Sequence, residues 1–385
     1  MPSTAPLRVC IVTDAYLPSV GGIENHVLHL SSELKRLGHD VVVVTHQLPP
    51  ASCHVESQVE SPVPVHRLAG GLIVFHQHDI AIDPRTIASF KALLDHDHFD
   101  IVHGQSEGSY LVYEALAAAR RRSVPTVLTR HSVLRTKPVV LSSLLVAVTK
   151  LLVRRADGLI AVSHACAEES VGFPGSIRVI PNGVDTDEFK PLPAERTRLR
   201  AELGFTDDDI VLGYVGRLHP AKGISFLLDA FARLHEARPA LKLLIAGPGP
   251  LRGAVEERAR VSSGAIRLLD PQPYDKVASW LNTLDAFALP SRGEAFGISL
   301  LEAMACGLPS VAFGRWGVRD FVIDGATGLL ADSPADFSEK LARLVSDQGF
   351  RERLGRAARR SVEERFSWPR VAAETAEFYR ELIAG

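Results

Sequence analysis

Short runs of β-branched and other apolar residues alternate along this chain with longer stretches in which apolar residues recur every three or four positions. Runs of the first kind predict buried strands, and stretches of the second kind predict helices that pack on a sheet. Because the two kinds alternate, the pattern is typical of βαβ units and a parallel sheet. The sequence therefore predicts an α/β fold.

The first unit shows this pattern clearly. RVCIVTD predicts a strand, YLPSVGG a loop, IENHVLHLSSELKRLG a helix closed by Gly38, and DVVVVTH the next strand. We expect the apolar residues at helical spacing to pack on the sheet. These residues are Val27, Leu30, Leu34 and Leu37.

The alternation is interrupted by IPNGVDTDEFKPLPAER, which is rich in turn formers and charge, and then restarts. Further strands before this linker are expected at VHRLA, DIVHG, TVLTRH, GLIAVS and IRVIPN, and those after it at IVLGYVGRL, LKLLIAGPG, AIRLLD, DAFALPS and PSVAFG. We expect a Rossmann-like domain over residues 1–188 and a second over 189–365. Two doubly wound domains facing each other predict a cleft, with ligands beyond the carboxyl ends of the strands.

Composition excludes several function classes. The chain has 385 residues, 46% hydrophobic and 23% charged, which fits two or three soluble domains. A net charge of −2 provides no global basic field, so no nucleic-acid partner is expected. The four cysteines form no CxxC pair, which disfavours disulfides and a metal knuckle and fits a reducing cytoplasm. We recognise no signal peptide and no apolar run long enough for a membrane span.

Two candidate features follow strand ends in the first half. Gly21 and Gly22 precede the first helix, where glycines let backbone approach a ligand and leave helix N–H groups available to an anion. They equally suit an ordinary tight turn. His131 ends the strand TVLTRH and is either a ligand contact or general base, or one of 15 histidines with a structural partner.

A loop with two cations follows the first strand of the second half. In YVGRLHPAKG, Gly216 precedes Arg217, and Lys222 lies near the end of the loop. A planar guanidinium and a compact ammonium together suit a diphosphate. The same two charges are equally compatible with a solvated surface.

The stretch SRGEAFGISLLEAMAC places two glutamates in a loop and in the helix after it. The N–H groups of Ala295, Phe296 and Gly297 are expected at the helix N-terminus, where the helix dipole is positive. Glu294 can accept hydrogen bonds from sugar hydroxyls, and Glu302 can reach a ribose. A buried carboxylate among leucines needs such a partner. The alternative is a pair of capping or salt-bridged glutamates.

In order and spacing these motifs resemble glycosyltransferase family 4, which has the two-Rossmann-domain architecture called GT-B. The resemblance runs from LRVCIVTDAYLPSVGGIENH through IPNGVD, GYVGRL, PAKG, AGPGP and EAFGISLLE to FSWPRVAAETAEFYREL. Glu294 and Glu302 match the E-x7-E pattern of the family. As in similar proteins, the C-terminal helix, about residues 366–385, is expected to cross back to the first domain.

The resemblance implies transfer of a sugar from a UDP- or GDP-linked donor, with retention of anomeric configuration and without a metal or other cofactor. In the second half it implies that Arg217 and Lys222 neutralise the leaving diphosphate, next to Gly216. It also implies that Glu294 and the 295–297 amides hold the donor sugar, and that Glu302 binds the ribose.

In the first half, the resemblance implies that Gly21 and Gly22 approach the diphosphate and donor sugar from the other domain. His131 is expected to contact the transferred sugar. HGQ at 103–105 stands where many relatives have His-x-His, on the acceptor side. RWGVRD at 315–320 replaces the usual GGxxE near the donor phosphates, where Arg315 or Arg319 is available to compensate.

The start VTDAYLPSVGGIENH and the segment TRHS are similar to the branch that transfers N-acetylglucosamine to phosphatidylinositol, and to bacterial enzymes acting on lipids or polysaccharides. The expected acceptor is a hydroxyl on a lipid-linked, polysaccharide or small molecule. The amphipathic segment 139–153 is either a contact with a membrane surface or an ordinary helix of the first domain. We expect a cytoplasmic protein or one bound at the inner face of the membrane.

Two other functions stay open at this point. A nucleotide-sugar epimerase also uses two Rossmann-like halves, but it needs acid and base groups on both faces of the sugar. A non-catalytic nucleotide-sugar-binding homologue would keep the same binding residues. A dinucleotide-dependent oxidoreductase is disfavoured, because no GxGxxG follows the first strand of either half.

Overall fold

The computed structural model describes residues 5–19, 21–46, 60–68, 73–75, 78–80, 84–133, 151–271 and 273–385. The chain divides into two compact units, residues 1–183 with 368–385 and residues 184–367. Each unit is built on one parallel sheet, so the predicted class of two Rossmann-like α/β domains is confirmed. The units part at residues 183/184 and 367/368, where the sequence predicts 188/189 and 365/366.

The first unit contains a seven-stranded parallel sheet and a small antiparallel hairpin. The strand order in the large sheet is β3-β2-β1-β6-β7-β8-β9. Its strands are β1 (Arg8–Val12), β2 (Asp40–His46), β3 (Val65–Leu68), β6 (Ile101–Gln105), β7 (Thr126–Arg130), β8 (Gly158–Ala161) and β9 (Ser176–Val179). The hairpin pairs β4 (Ile73–Phe75) with β5 (His78–Ile80).

The helices of the first unit cover both faces of this sheet. Those that lie wholly within the described residues are α1 (Gly22–Arg36), α2 (Pro84–His96), α3 (Tyr110–Arg120), the short α4 (His164–Glu168) and α12 (Trp368–Ala384). Alternate residues of β1 enter different cores: Val9 and Ile11 pack with α1 and α12, whereas Cys10 and Val12 pack with α2 and α3. This alternation explains why the strand is apolar throughout.

Helix α1 buries three of the four apolar residues that its pattern selects. Val27, Leu30 and Leu34 are essentially inaccessible, but Leu37 is 43% exposed, so its predicted packing is wrong. The helix ends at Arg36, and Gly38 turns the chain with φ +91°. Leu37 is therefore the C-cap residue at the end of the helix, whereas the other three lie within it.

The second unit is a six-stranded parallel sheet with strand order β12-β11-β10-β13-β14-β15. Its strands are β10 (Ile210–Val215), β11 (Leu241–Ala246), β12 (Ile266–Leu269), β13 (Ala286–Leu289), β14 (Ser310–Phe313) and β15 (Leu329–Ala331). Its helices are α5 (Pro193–Leu203), α6 (Ile224–Ala237), α7 (Arg252–Val261), α8 (Tyr274–Leu281), α9 (Ile298–Ala305), α10 (Pro334–Ser346) and α11 (Gln348–Arg365).

The strand order of each sheet reverses at one point. In the first unit the reversal lies between β1 and β6, and in the second between β10 and β13. At such a switch point the loops leaving the two neighbouring strands run to opposite sides, which opens a crevice beyond the carboxyl ends. The loops after β10 and β13 are those that carry Lys222 and Glu294.

Helix α12 is part of the first unit although it follows the second in sequence. Its buried residues join the core that α1 forms with the sheet: Trp368, Val371, Ala372, Ala376, Phe378 and Tyr379. Gly158 of β8 allows a close approach, because a Cβ there would lie 2.5 Å from Cδ1 of Leu382 and 2.9 Å from Cζ of Phe378. The helix is therefore an integral layer of that unit.

The described ranges contain no helix with both the length and the apolar composition that crossing a membrane requires. Three cysteines lie in these ranges, Cys10, Cys166 and Cys306, and all are buried and free.

We expect Phe378→Ala to destabilise the first unit by about 3–5 kcal/mol, because it removes a ring that is 1% exposed and packs on a glycine of β8. Urea denaturation followed by circular dichroism measures the change. Glu377→Ala is the matched control, since that neighbouring side chain is 63% exposed and its loss should change the free energy of unfolding by no more than about 0.5 kcal/mol. Equal stability of the two variants would contradict the integral role of α12.

Candidate functional site

Lys222 and Glu294 form an ion pair at the switch point of the second sheet. Lys222 ends a short 3-10 helix (Pro220–Lys222) after β10, and Glu294 lies in the loop after β13. The distance between Lys222 Nζ and Glu294 Oε1 is 2.6 Å, and the two side chains are 24% and 12% exposed. Two residues 72 positions apart are thus joined because their strands are neighbours in the sheet.

The cation-bearing loop depends on glycine where it meets the glutamate-bearing loop. Gly223 has φ +72°, and a Cβ there would lie 2.2 Å from the carbonyl oxygen of Pro290. Backbone therefore packs against backbone, which no larger residue allows. Gly216, at φ +150°, lies directly after β10 at the start of the same loop.

Arg217 differs from Lys222 in its surroundings. Its carbonyl oxygen accepts a hydrogen bond from the Tyr214 hydroxyl at 2.9 Å. Its side chain is exposed, and the guanidinium forms no hydrogen bond or ion pair with another residue in the part of the chain that the structure describes. Of the two predicted cations, Lys222 is therefore paired with a carboxylate and Arg217 faces solvent.

The loop of residues 291–297, which we call the donor loop, ends at the N-terminus of α9. Gly297 caps this helix at φ +107°. None of the N–H groups of residues 293–297 donates a hydrogen bond to another described residue. The predicted amides of Ala295, Phe296 and Gly297 are thus brought together at a positive helix end, where an anion or a hydroxyl oxygen can accept from them.

Glu302 is buried in α9, with 4% of the residue exposed. The Tyr274 hydroxyl donates a hydrogen bond of 2.8 Å to its Oε1. Burial, together with the charge of Glu188, raises the pKa of Glu302 to about 8, against 4.5 for an ordinary glutamate. The carboxyl is therefore largely protonated at neutral pH. The sequence gives no indication that Tyr274 is its partner.

Glu188 adds a second perturbed carboxyl to this region. Burial and the charges of Asp185 and Asp275 raise its pKa to about 7. Burial and the nearby carboxylates likewise raise the pKa of Tyr274 well above its usual value. The acidic groups resist ionising together, so a ligand that donates hydrogen bonds, such as a ribose diol, would favour their charged forms.

His131 follows β7 in the first unit and is held at two points. Its backbone N–H donates to Oε2 of Glu107 at 3.1 Å, and its Nε2 lies 2.8 Å from Oε1 of Gln105. An amide oxygen only accepts, so Nε2 carries the proton. Burial holds the pKa of His131 well below its usual value, and His26 and His103 lower it further. The ring is therefore neutral at physiological pH.

Gln105 links His131 to a second buried histidine. The amide Nε2 of Gln105 lies 3.1 Å from Nε2 of His103. The same His103 nitrogen lies 2.6 Å from Oγ1 of Thr129. Nδ1 of His103 lies 2.5 Å from the hydroxyl of Tyr379 in α12. This network departs from the expected His-x-His pattern at 103–105 and replaces its second imidazole with an amide.

Glu107 organises the loop after β7. Besides His131, the backbone N–H of Ser132 donates to its carboxylate at 3.0 Å, and the Ser132 hydroxyl makes a short hydrogen bond to it. Arg130 lies between Glu107 and Glu169, at 3.7 and 3.0 Å, and all three side chains are almost completely buried. The sequence pattern does not reveal this ion triad, although Glu107 follows a strand end as the predicted residues do.

Gly21 and Gly22 lie at the start of α1, with Gly22 exposed. The carboxylate of Glu24 lies close to this end of the helix: a Cβ on Gly21 would lie 2.3 Å from Glu24 Oε2. Burial raises the pKa of Glu24. The approach of these glycines to a diphosphate stays a prediction, and it requires Glu24 to be protonated or to move.

RWGVRD lies beside the donor loop, but both of its arginines contact Asp332. Arg315 donates to the carbonyl oxygen of Asp332 at 3.4 Å, and Arg319 pairs with the Asp332 carboxylate at 3.5 Å. Compensation by either arginine for the missing GGxxE stays a prediction.

No group of three or more histidine, cysteine or acidic side chains suited to a metal ion occurs among the residues that the structure describes. The amphipathic segment 139–153 lies almost entirely outside those residues, so its predicted membrane contact is not tested.

Comparison with known proteins gives two family matches and close agreement in fold. The model for glycosyl transferases group 1 matches residues 195–361, and that for glycosyltransferase family 4 matches residues 20–188. Among solved structures, sucrose-phosphate synthase from Thermosynechococcus elongatus has a TM-score of 0.80 at 22% identity, covering 98% of this chain and 99% of that one. HepE from Anabaena, in complex with UDP and glucose, has a TM-score of 0.78 at 20% identity, covering 97% and 99%.

Relatives in sequence are similar over nearly the full length. D-inositol 3-phosphate glycosyltransferase from Kribbella flavida is 30% identical, covering 94% of this chain and 90% of the relative. The gpi3 subunit of phosphatidylinositol N-acetylglucosaminyltransferase from Schizosaccharomyces pombe is 26% identical, covering 97% and 80%.

We expect Glu302→Gln to become progressively more stable than the parent protein as pH rises. The folded protein keeps the Glu302 proton up to pH about 8, whereas the unfolded chain releases it near 4.5, so the parent loses stability across this window. The difference should grow by up to about 1.4 kcal/mol per pH unit. Thermal denaturation at pH 5, 6.5 and 8 measures it.

Glu257→Gln is the control for this experiment, because it removes a carboxylate whose side chain is 61% exposed in the same unit. Its effect should be small at each pH. A Glu302→Gln effect that is equally independent of pH would show that the buried carboxyl does not retain its proton.

Proposed function

This chain belongs to the group 1, family 4 glycosyltransferases, which have the GT-B fold, and we propose that it moves a sugar from a UDP- or GDP-linked donor to a hydroxyl acceptor. In this proposal the anomeric configuration of the sugar is retained, and neither a metal ion nor another cofactor takes part. The family relationship favours transfer over epimerisation or silent binding.

The observation that carries the proposal is the 2.6 Å pair of Lys222 and Glu294 beside the amides of the donor loop, which donate to no other described residue. Cleavage of a nucleotide-diphosphate sugar places negative charge on the diphosphate and positive charge on the sugar. A lysine, an exposed arginine at 217 and a helix N-terminus can stabilise the first. The glutamate can accept from the sugar hydroxyls. These groups support departure of the diphosphate without a metal.

The first unit supplies a neutral imidazole for the transferred sugar in this proposal. His131 has its Nε2 proton committed to Gln105, so Nδ1 is the nitrogen with an available lone pair. It can accept a hydrogen bond from a sugar hydroxyl. Because the ring is uncharged, it does not repel the positive charge that develops at the anomeric carbon.

For the acceptor, the names of the relatives suggest an inositol phosphate. One kind is a D-inositol 3-phosphate glycosyltransferase, and the other is a phosphatidylinositol N-acetylglucosaminyltransferase. Their shared chemistry is an inositol ring that carries a phosphate, either free or linked to a lipid. We infer a ring hydroxyl of such a molecule as the acceptor, with N-acetylglucosamine as the first sugar to test. Contact with the membrane surface is part of the proposal only for the lipid-linked acceptor.

Lys222→Ala should lower kcat for sugar transfer by about 100-fold or more, because the leaving diphosphate loses a charge-assisted contact. Lys276→Ala is the matched control: this lysine is in the same unit, its side chain is 61% exposed, and its partner is its neighbour Asp275. Steady-state kinetics and circular dichroism separate loss of catalysis from loss of fold. Normal turnover by a folded Lys222→Ala enzyme would contradict the diphosphate role.

Arg217→Ala combined with Lys222→Ala should cost less than the sum of the single effects, because both cations act on one diphosphate. A double-mutant cycle on kcat/KM measures this coupling. Strict additivity would show that the two residues act on different parts of the donor.

The donor is identified first by ligand binding. UDP, GDP, ADP and their common sugar conjugates are added in thermal denaturation and calorimetry, with magnesium and with chelator. A ligand at about 100 times its dissociation constant should add roughly 2.7 kcal/mol to the free energy of unfolding. Binding of one nucleotide in the presence of chelator is the expected result, whereas binding of none would overturn the donor assignment.

A further inference from the structure

Trp316 occupies a backbone conformation that tryptophan rarely adopts. Its φ is +59°, in the left-handed region where the Cβ of a bulky L residue is crowded. The residue follows β14 in RWGVRD, the segment that departs from the glycine-containing pattern expected there. A strained conformation of this kind persists only where its surroundings hold it. The contacts of Trp316 identify what holds it.

Trp316 and the following residue attach to the donor loop at two points. The indole Nε1 of Trp316 donates to the carbonyl oxygen of Arg292 at 3.2 Å. The backbone N–H of Gly317 donates to the carbonyl oxygen of Glu294 at 3.0 Å. A Cβ on Gly317 would lie 1.9 Å from the carbonyl oxygen of Ala295, so the two segments are in direct backbone contact.

These hydrogen bonds are made by the carbonyl oxygens of the loop and not by its N–H groups. The carbonyl oxygens of Arg292 and Glu294 accept from Trp316 and Gly317, and that of Gly293 accepts from the Ser291 hydroxyl at 3.4 Å. The N–H groups of residues 293–297 donate to no other described residue. Fixing the carbonyls of a short loop also fixes the direction of its N–H groups, since both belong to the same planar peptide units.

We infer that Trp316 is a positioning residue for the sugar donor, and that it acts by tethering Arg292 through the indole N–H. The tether holds the donor loop so that its amides and Glu294 are already oriented for the donor. Without it, part of the binding energy of the donor would be used to order the loop. This inference rests on the proposed function, because it assumes that the donor binds at this loop.

Two substitutions separate the indole N–H from the rest of the residue. Trp316→Phe keeps an aromatic ring but removes the donor to Arg292. We expect the KM and the dissociation constant of the nucleotide-sugar donor to rise about tenfold, the effect of losing one orienting hydrogen bond. The KM of the acceptor should stay within about twofold of the parent value, because the tether acts only on the donor loop.

Trp316→Gly removes the ring and relieves the backbone strain, because glycine adopts φ +59° freely. This variant should fold and denature at a temperature no lower than that of Trp316→Phe, yet bind donor at least as weakly. Ser263→Gly is the matched control. Ser263 also has a positive φ, +50°, in the same unit, but it lies in the turn between α7 and β12, away from the donor loop. Its donor KM should equal the parent value.

The measurements are donor and acceptor KM, kcat, and calorimetric binding of the nucleotide sugar that the parent protein accepts. A parent-like donor KM in a folded Trp316→Phe variant would overturn the tether, whatever Trp316→Gly does. Failure of the parent itself to bind any nucleotide sugar would instead overturn the proposed function on which the inference rests. Weaker donor binding in both variants, with acceptor KM and fold preserved, supports the tether.

Discussion

The pairing of β10 with β13 is the constraint on which the arrangement around Lys222 and Glu294 depends. These strands are distant in sequence but adjacent in the sheet, with Leu212 opposite Ala286 and Gly213 opposite Phe287. Because they are parallel, both loops leave at the same edge, and a lysine from one meets a glutamate from the other. The glycine at 223 then allows backbone contact between the loops. The ion pair of Lys222 with Glu294 follows from this register, since the lysine and the glutamate lie in different loops.

Much of the fold was predictable because burial on both faces of a parallel sheet selects continuous β-branched runs, as DVVVVTH shows. The structure adds two features that the pattern does not indicate. The strand Leu329–Ala331 and the hairpin of β4 with β5 have strands of only three residues, which is too short for an apolar pattern to be recognised. Leu37 was misplaced for a different reason: the spacing of apolar residues continues past the point at which the helix ends.

The positions of the candidate site residues were predictable where they directly follow strand ends, and their partners were not. Lys222 and Glu294 stand out as polar residues in glycine-containing loops. The hydroxyl that bonds to Glu302 comes from another helix, and the amide that orients His131 comes from another strand. Such contacts depend on side-chain direction and tertiary packing, which local patterns do not encode. The left-handed conformation of Trp316 is likewise invisible in sequence, because the residue type argues against it.

The network around His131 reaches Tyr379, a residue of the helix Trp368–Ala384, and this link imposes an order on biosynthesis. Residues 1–183 leave the ribosome before the whole second unit, but their core stays open until that helix has been made. The second unit contains all its own strands and can fold first. The first unit therefore completes its core after the second unit has all its strands, although residues 1–183 are made first. Growth of the chain thus delays completion of this core until synthesis of α12 is finished.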